Sequence, residues 1–100
     1  MKICVTADGD NLDARVDARF GRCKYFLFID TDTMEYEAVE NPYREAPQGA
    51  GVQSAQLVVN KGAKKVVTGN VGPGAQGILS SAGVEVIFKS GIVKDVIKDL

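Results

Sequence analysis

Apolar residues occur in short runs along the chain, and these runs predict five strands. Residues 2–6 are apolar and partly β-branched, and residues 24–30 form a continuous, aromatic-rich run that is typical of an interior strand. Residues 34–40 alternate between apolar and polar positions, and their glutamates favour an edge strand because charge discourages further pairing. Residues 65–68 and 84–88 are the remaining short apolar runs.

Three other segments repeat their apolar residues at helical spacing. The first covers residues 51–61, and Gly62 follows as a natural helix end. The second begins at Pro73 and ends at Gly83, which suits the preference of proline for the first helical turn. The third covers residues 93–100, where one apolar stripe opposes charged residues and predicts an amphipathic helix.

The predicted order of elements is β-β-β-α-β-α-β-α. Three antiparallel strands followed by strands alternating with helices imply an α/β fold with a mixed sheet. Right-handed crossovers place the fourth strand beside the first, which gives the spatial strand order 3-2-1-4-5. This is a ribonuclease-H-like arrangement, and the chain length of 100 residues predicts a single domain over residues 1–100.

Composition restricts the classes of partner and chemistry. Twelve basic and thirteen acidic residues give a net charge of −1, so we expect no binding to nucleic acid or membranes through overall charge. No apolar run has the length of a leader or a membrane span, so we expect a cytoplasmic protein. We also expect a monomer or a weak dimer. The absence of histidine removes the commonest general base and metal ligand, and we expect no enzymatic activity.

The predicted topology brings four polar segments to one edge of the sheet. The first and fourth strands end there, and residues 7–16 and 69–74 follow them. The antiparallel second strand begins at this edge after residues 19–23, and the third ends there before residues 41–51. Ligands of open α/β sheets bind beyond the carboxyl ends of parallel strands, so this edge is the expected binding site.

Residues 15–24 concentrate positive charge at that edge. Arg19 and Arg22 flank a Phe-Gly pair at the start of the second strand, with Arg15 and Lys24 close by. Guanidinium groups bind anions through a rigid fork of donors that stays protonated. The alternative is a solvated loop whose arginines pair with neighbouring aspartates. We interpret Arg19 and Arg22 as anion-binding residues.

The glycine-rich segment 69–74 precedes the second helix. Free N–H groups at a helix start favour anions, although this segment is neither a Walker A loop nor a dinucleotide-binding fingerprint. A tight strand-to-helix turn needs glycines for backbone reasons as well, so the sequence leaves both interpretations open.

The chain has two cysteines, and we expect both to be free thiols. Cys23 follows the arginines, which would lower its pKa and favour a thiolate that binds a soft metal. The alternative is an ordinary half-buried cysteine, and the sequence leaves both interpretations open. Cys4 lies between Ile3 and Val5 and is expected in the core. Strand pairing is expected to place Cys4 opposite about Phe26, too far from Cys23 for a disulfide.

The run R-F-G-R-C-K-Y-F over residues 19–26 resembles the signature of the dinitrogenase iron–molybdenum cofactor biosynthesis family. Asn41, the Gly-Ala-Gly run at 49–51, the segment 66–72 and the last strand also lie where that family has equivalents. The resemblance extends over nearly the whole chain. It implies a ribonuclease-H-like fold and binding of the iron–molybdenum cofactor, its precursor or, as in orange-protein-type members, a molybdenum–copper sulfide cluster.

The resemblance therefore implies a binding or carrier protein for an anionic metal–sulfur cluster that contains molybdenum, iron or copper. Some cofactor-handling members have a histidine near the Phe-Gly motif, and this chain has none. The expected cluster is accordingly held by arginines and backbone N–H groups, with Cys23 as the candidate metal ligand. The candidate cofactor-binding residues are Arg19, Phe20, Gly21, Arg22, Asn41, Gly69, Asn70 and Gly72.

Two other functions fit parts of the pattern. A nuclease is suggested by fold analogy, but two-metal hydrolysis needs several converging carboxylates, and Gly69 and Asn70 follow the fourth strand instead. A metal-free interaction or regulatory module would use the same loops to dock a protein partner. A cluster-assembly protein or a P-loop ATPase is the expected kind of protein partner for either the carrier or the module.

Overall fold

The computed structural model describes all residues 1–100 and shows one five-stranded mixed sheet with helices on both faces. Its strands are β1 (Lys2–Ala7), β2 (Tyr25–Asp30), β3 (Tyr36–Glu40), β4 (Lys65–Thr68) and β5 (Glu85–Phe88). The helices are α1 (Ala50–Asn60), α2 (Pro73–Ser81) and α3 (Val93–Val96), and a 3-10 turn at Ile97–Asp99 follows α3. No helix has the length and apolar character that a membrane crossing requires.

The strand order is β3-β2-β1-β4-β5, which confirms the predicted ribonuclease-H-like topology. β2 pairs antiparallel with β1 and β3, whereas β4 pairs parallel with β1 and β5. The predicted edge position of β3 is confirmed, and four of its five residues are exposed.

Alternating side chains divide the core into two halves, because successive residues of a strand face opposite sides of the sheet. Cys4, Phe26 and Phe28 face α1 and α2 and belong to a cluster of 12 buried residues. Ile3 and Val5 face α3 and the loop after β1 in a second cluster of 9 buried residues. The continuous apolar character of β1 and β2 thus reflects burial on both faces.

Three local predictions were wrong. Cys4 pairs with Phe28 rather than about Phe26, because the long connection between β1 and β2 fixes no register. β3 begins at Tyr36, since Met34 adopts a left-handed φ of 64° and extends the preceding turn. The last helix is shorter than predicted: α3 ends at Val96 and the chain continues as the 3-10 turn. None of these differences moves an element away from the predicted edge.

Candidate functional site

A cleft of about 400 Å³ lies at the predicted edge of the sheet, and it is called the carboxyl-edge cleft below. Three stretches of chain line it: residues 19–22 before β2, residues 49–52 at the start of α1, and residues 70, 72, 74 and 75 around the start of α2. Six of the predicted cofactor-binding residues therefore come together in one place: Arg19, Phe20, Gly21, Arg22, Asn70 and Gly72.

Close backbone contacts hold residues 18–21 between α1 and the loop after β4. A Cβ atom on Gly21 would lie only 2.7 Å from the Gly51 nitrogen, so no other residue fits there without displacing α1. A Cβ atom on Gly69 would lie 2.6 Å from the Ala18 Cα atom. The Phe20 N–H donates to the Asn70 carbonyl over 3.2 Å. These contacts fix the width of the carboxyl-edge cleft.

Phe20 anchors the same segment in the core. Its side chain is 3% exposed, and its ring lies 6.0 Å from the ring of Phe26, centroid to centroid. An aromatic ring between two arginines thus secures the backbone while the arginines remain at the surface. This explains why an apolar residue occurs in the middle of a charged segment.

Each of the two arginines of the cleft uses part of its guanidinium group for hydrogen bonds within the protein. Arg22 Nη1 donates to the Arg44 and Ala46 carbonyls over 2.9 and 2.6 Å. Arg19 Nε and Nη2 donate to the carboxylate of Asp17 over 3.3 and 3.4 Å. Each guanidinium carries five N–H groups, so donors remain free on both residues. The hydrogen bond to Asp17 also raises the pKa of Arg19, which stays protonated.

Both helices that line the cleft begin without a side-chain cap. The N–H groups of Gly51 and Val52 in α1, and of Gly74 and Ala75 in α2, have no hydrogen-bond partner within the chain. Helix N-termini carry partial positive charge, and unpaired N–H groups there bind anions. Two helix starts and two arginines therefore give the cleft a set of donors, which suits an anionic ligand.

Two predicted binding residues lie behind the cleft and support it. Asn41 is buried, and its amide donates to the carbonyls of Gly21 and Cys23, each over 3.0 Å. Its Oδ1 accepts the N–H of Tyr43 over 2.9 Å, so Asn41 fastens the loop after β3 to the cleft. Gly69 likewise contacts Ala18 and is absent from the cleft lining.

Of the two interpretations of Cys23, the structure favours the buried core cysteine. Its side chain is fully buried in the core cluster that includes Cys4, and both cysteines are free thiols. Burial, with a smaller contribution from Asp17, raises the pKa of Cys23 to about 12, and the nearby Arg19 lowers it only slightly. Cys23 does not line the cleft. No group of three or more Cys, Asp or Glu side chains lies close enough together to hold a metal ion.

Comparison with known proteins identifies the family of this chain. The model of the dinitrogenase iron–molybdenum cofactor family matches residues 1–100. The chain belongs to that family. The predicted family resemblance is therefore confirmed, and it covers every residue of the carboxyl-edge cleft.

Relatives of known structure share the whole fold with this family member. The apo form of the orange protein from Desulfovibrio gigas is 39% identical, with a TM-score of 0.92 over 97% of this chain and 83% of that one. A putative NifB protein from Thermotoga is 35% identical, with a TM-score of 0.82 over 97% of this chain and 84% of that one. A relative found by sequence, an uncharacterized protein of Methanocaldococcus jannaschii, is 32% identical in an alignment of 89 positions that covers 86% of this chain and 72% of the relative.

The predicted binding residues do not include the start of α1, nor Gly74 and Ala75 of α2, although all of these line the cleft. Residues 49–52 line one wall, and Gly49 precedes the helix with a left-handed φ of 74°. The sequence does carry a signal for this wall. A Gly-Ala-Gly run directly before a helix, on a segment already predicted at the binding edge, indicates a helix start with accessible N–H groups.

Proposed function

We propose that this protein is a non-enzymatic carrier that binds an anionic metal–sulfur cluster, or its precursor, in the carboxyl-edge cleft. The observation that carries the proposal is the convergence of Arg19 and Arg22 with the unpaired N–H groups of two helix starts. Family membership supports metal clusters as the class of cargo. The resemblance to orange-protein-type members supports a molybdenum–copper sulfide cluster among the candidates.

The donor set explains how such a cargo is held. Terminal sulfides carry the negative charge of the cluster and accept hydrogen bonds from guanidinium and backbone N–H groups. Charge-assisted hydrogen bonds are stronger than neutral ones, and the rigid backbone around Gly21 and Gly69 keeps the donors in place. Because these interactions are noncovalent, the cargo can be passed on intact, as a carrier requires.

Anaerobic reconstitution tests the proposal. The protein is mixed with tetrathiomolybdate and Cu(I), or with iron and sulfide, and desalted. We expect a visible charge-transfer band that elutes with the protein. If none of these mixtures gives such a band, the carrier proposal is wrong, and a metal-free interaction module that docks a protein partner becomes the better interpretation.

Arg22→Ala is the decisive variant in that assay. It removes charge-assisted hydrogen bonds worth about 1.5–3 kcal/mol, so we expect affinity to fall by about tenfold or more. Arg15→Ala is the matched control: it removes the same charge from an exposed residue that lies outside the cleft. Equal losses in both variants would mean that overall charge, and not the cleft, binds the cluster.

Cys23→Ala separates noncovalent binding from thiolate ligation. Because the thiol is buried in the core and its pKa is raised to about 12, we expect the band to keep its wavelength and intensity. A shifted or lost band, with an unchanged melting temperature, would show instead that Cys23 becomes a ligand in the loaded protein.

A further inference from the structure

Asp17 places a negative charge beside a cleft that binds anions in our proposal. Its carboxylate is 9% exposed and does not line the cleft. Oδ1 accepts hydrogen bonds from the backbone N–H of Arg19 over 3.0 Å and from Arg19 Nε over 3.3 Å. Oδ2 accepts a third from Nη2 over 3.4 Å. Arg19 therefore donates every hydrogen bond that this carboxylate accepts.

The backbone of Asp17 is attached to the ends of two interior strands. Its N–H donates to the Thr6 carbonyl over 2.8 Å, and the hydroxyl of Thr6 donates to the Asp17 carbonyl over 2.7 Å. The hydroxyls of Thr6 and Thr68 lie 2.8 Å apart, and both residues are fully buried. A continuous series of hydrogen bonds thus connects the ends of β1 and β4 through Asp17 to the guanidinium of Arg19.

The pairing between Asp17 and Arg19 is side-on, and it determines which donors stay free. It uses Nε and one hydrogen of Nη2, which leaves Nη1 and the second Nη2 hydrogen on the opposite edge. The Arg19 side chain is 62% exposed and lines the cleft. An unpaired arginine at such a position would sample many rotamers. Binding would have to restrict them, and the lost side-chain entropy would lower the affinity.

Resting on the proposed function, we propose that Asp17 is the positioning residue of the cargo site, which holds Arg19 side-on so that its free N–H edge contacts a sulfide-bearing anion in the cleft. Replacing Asp17 has two opposing effects. It removes a negative charge near the cleft, which strengthens binding of an anion. It also releases the Arg19 side chain, which weakens that binding. Because the Asp17 charge is already paired with the Arg19 guanidinium and Asp17 does not line the cleft, we expect the second effect to be larger.

The test measures binding of tetrathiomolybdate by wild type, Asp17→Asn, Arg19→Gln and the double variant. The amide introduced by Asp17→Asn keeps an oxygen for the Arg19 backbone N–H and loses the charged pair with the side chain. We expect Asp17→Asn to weaken binding about fivefold, since one oriented charge-assisted contact is lost. We expect no further loss when Asp17→Asn is added to Arg19→Gln, because Asp17 acts through Arg19.

A second readout follows the guanidinium directly in the protein without cargo. The Arg19 Nε–H proton should exchange slowly with water in wild type and fast in Asp17→Asn, as observed by NMR. Arg19→Lys provides an independent variant that keeps the charge but cannot pair side-on. We expect it to bind as weakly as Asp17→Asn, and binding equal to wild type would overturn the inference even if Asp17→Asn does not fold.

Each remaining outcome has a distinct meaning. Tighter binding by Asp17→Asn would show that the Asp17 charge only competes with the anion. If Asp17→Asn lowers the affinity equally in wild type and in Arg19→Gln, Asp17 has a general structural role. Either result overturns the inference while the proposed function stands. If wild type binds neither tetrathiomolybdate nor the clusters of the reconstitution assay, the proposed function fails, and this inference fails with it.

Discussion

At the scale of single residues, Cys23 shows that burial outweighs neighbouring charge. The thiol directly follows Arg22 in the chain, yet its side chain is fully buried and desolvation is the largest influence on its pKa. The carboxylate of Asp17 raises the pKa further, and the exposed guanidinium of Arg19 offsets only a small part of the increase. A sequence neighbour with a positive charge therefore does not make a thiolate.

This raised pKa predicts a loss of stability at alkaline pH. In the unfolded chain the Cys23 thiol ionises near its ordinary pKa of 9.0, whereas in the folded protein it ionises near 12. The folded state binds more protons between these values, so the free energy of unfolding falls as pH rises from about 9 to 12, by about 1.4 kcal/mol per pH unit for one such group.

Urea unfolding of wild type and Cys23→Ala across this pH range measures the effect. We expect the free energy of unfolding of the variant to depend less steeply on pH. Cys4, whose pKa is raised by burial and to a smaller extent by Cys23, still contributes to the slope in the variant. Parallel curves for the two proteins would contradict the assignment of a buried, neutral thiol to Cys23.

At the scale of elements, the carboxyl-edge cleft depends on how closely α1 approaches the segment before β2. Gly21 lies against the backbone of Gly51 at the point where α1 begins. Asn41 and Arg22 fasten the loop after β3 to the same segment through backbone carbonyls. The start of α1 is thereby held beside the start of α2, although neither helix has a side-chain cap.

Gly21→Ala is expected to disrupt this packing. The added methyl group would lie 2.7 Å from the Gly51 nitrogen, so the backbone has to shift, and we expect a loss of about 2 kcal/mol in stability together with weaker cluster binding. Thermal unfolding and the reconstitution assay measure the two effects.

Gly77→Ala is the matched control for the same chemical change. A Cβ atom at Gly77 meets nothing within 4 Å, and the residue lies inside α2. Alanine favours a helix over glycine, so we expect stability to rise by about 0.5–1 kcal/mol with unchanged cluster binding. If Gly21→Ala behaves like this control, the contact with Gly51 does not define the cleft.

At the scale of the whole molecule, the interior strands β1 and β4 support the carboxyl-edge cleft. Each pairs with a strand on both sides, and their buried residues separate the two halves of the core. Their carboxyl ends provide the Thr6 and Thr68 hydroxyls and the loop that reaches α2. The parts proposed to contact cargo are loops and helix starts, supported by the most deeply buried part of the sheet.

Hydrogen exchange of the backbone amides should differ between the buried interior strands and the exposed loops. We expect the amides of Cys4, Val5 and Val67 to exchange only through global unfolding. The amides of Arg44, Glu45 and Gln48 should exchange fast, because these residues are exposed and their N–H groups have no hydrogen-bond partner in the chain. Adding tetrathiomolybdate should slow exchange at the unpaired N–H groups of Gly51 and Gly74. Slowing confined to other regions, such as α3, would contradict binding in the carboxyl-edge cleft.

The sequence by itself determined the fold and the location of the candidate site. Apolar runs, helical spacing and the glycines that end helices yield the order of elements, and the handedness of crossovers then leaves one strand order. Strand direction places residues 19–22 and 70–72 on one edge without any knowledge of side-chain contacts. These features are local in the chain or follow from general rules of topology, so a single sequence suffices for them.

Only the tertiary structure decided which of those residues line the cleft. Asn41 and Cys23 are near it in the chain, but their side chains point to backbone carbonyls and to the core. Residue 23 precedes β2, so strand alternation does not assign it a face. The pairing of Asp17 with Arg19 and the wall formed by α1 depend on where distant segments meet, and that position is set by packing of the whole chain.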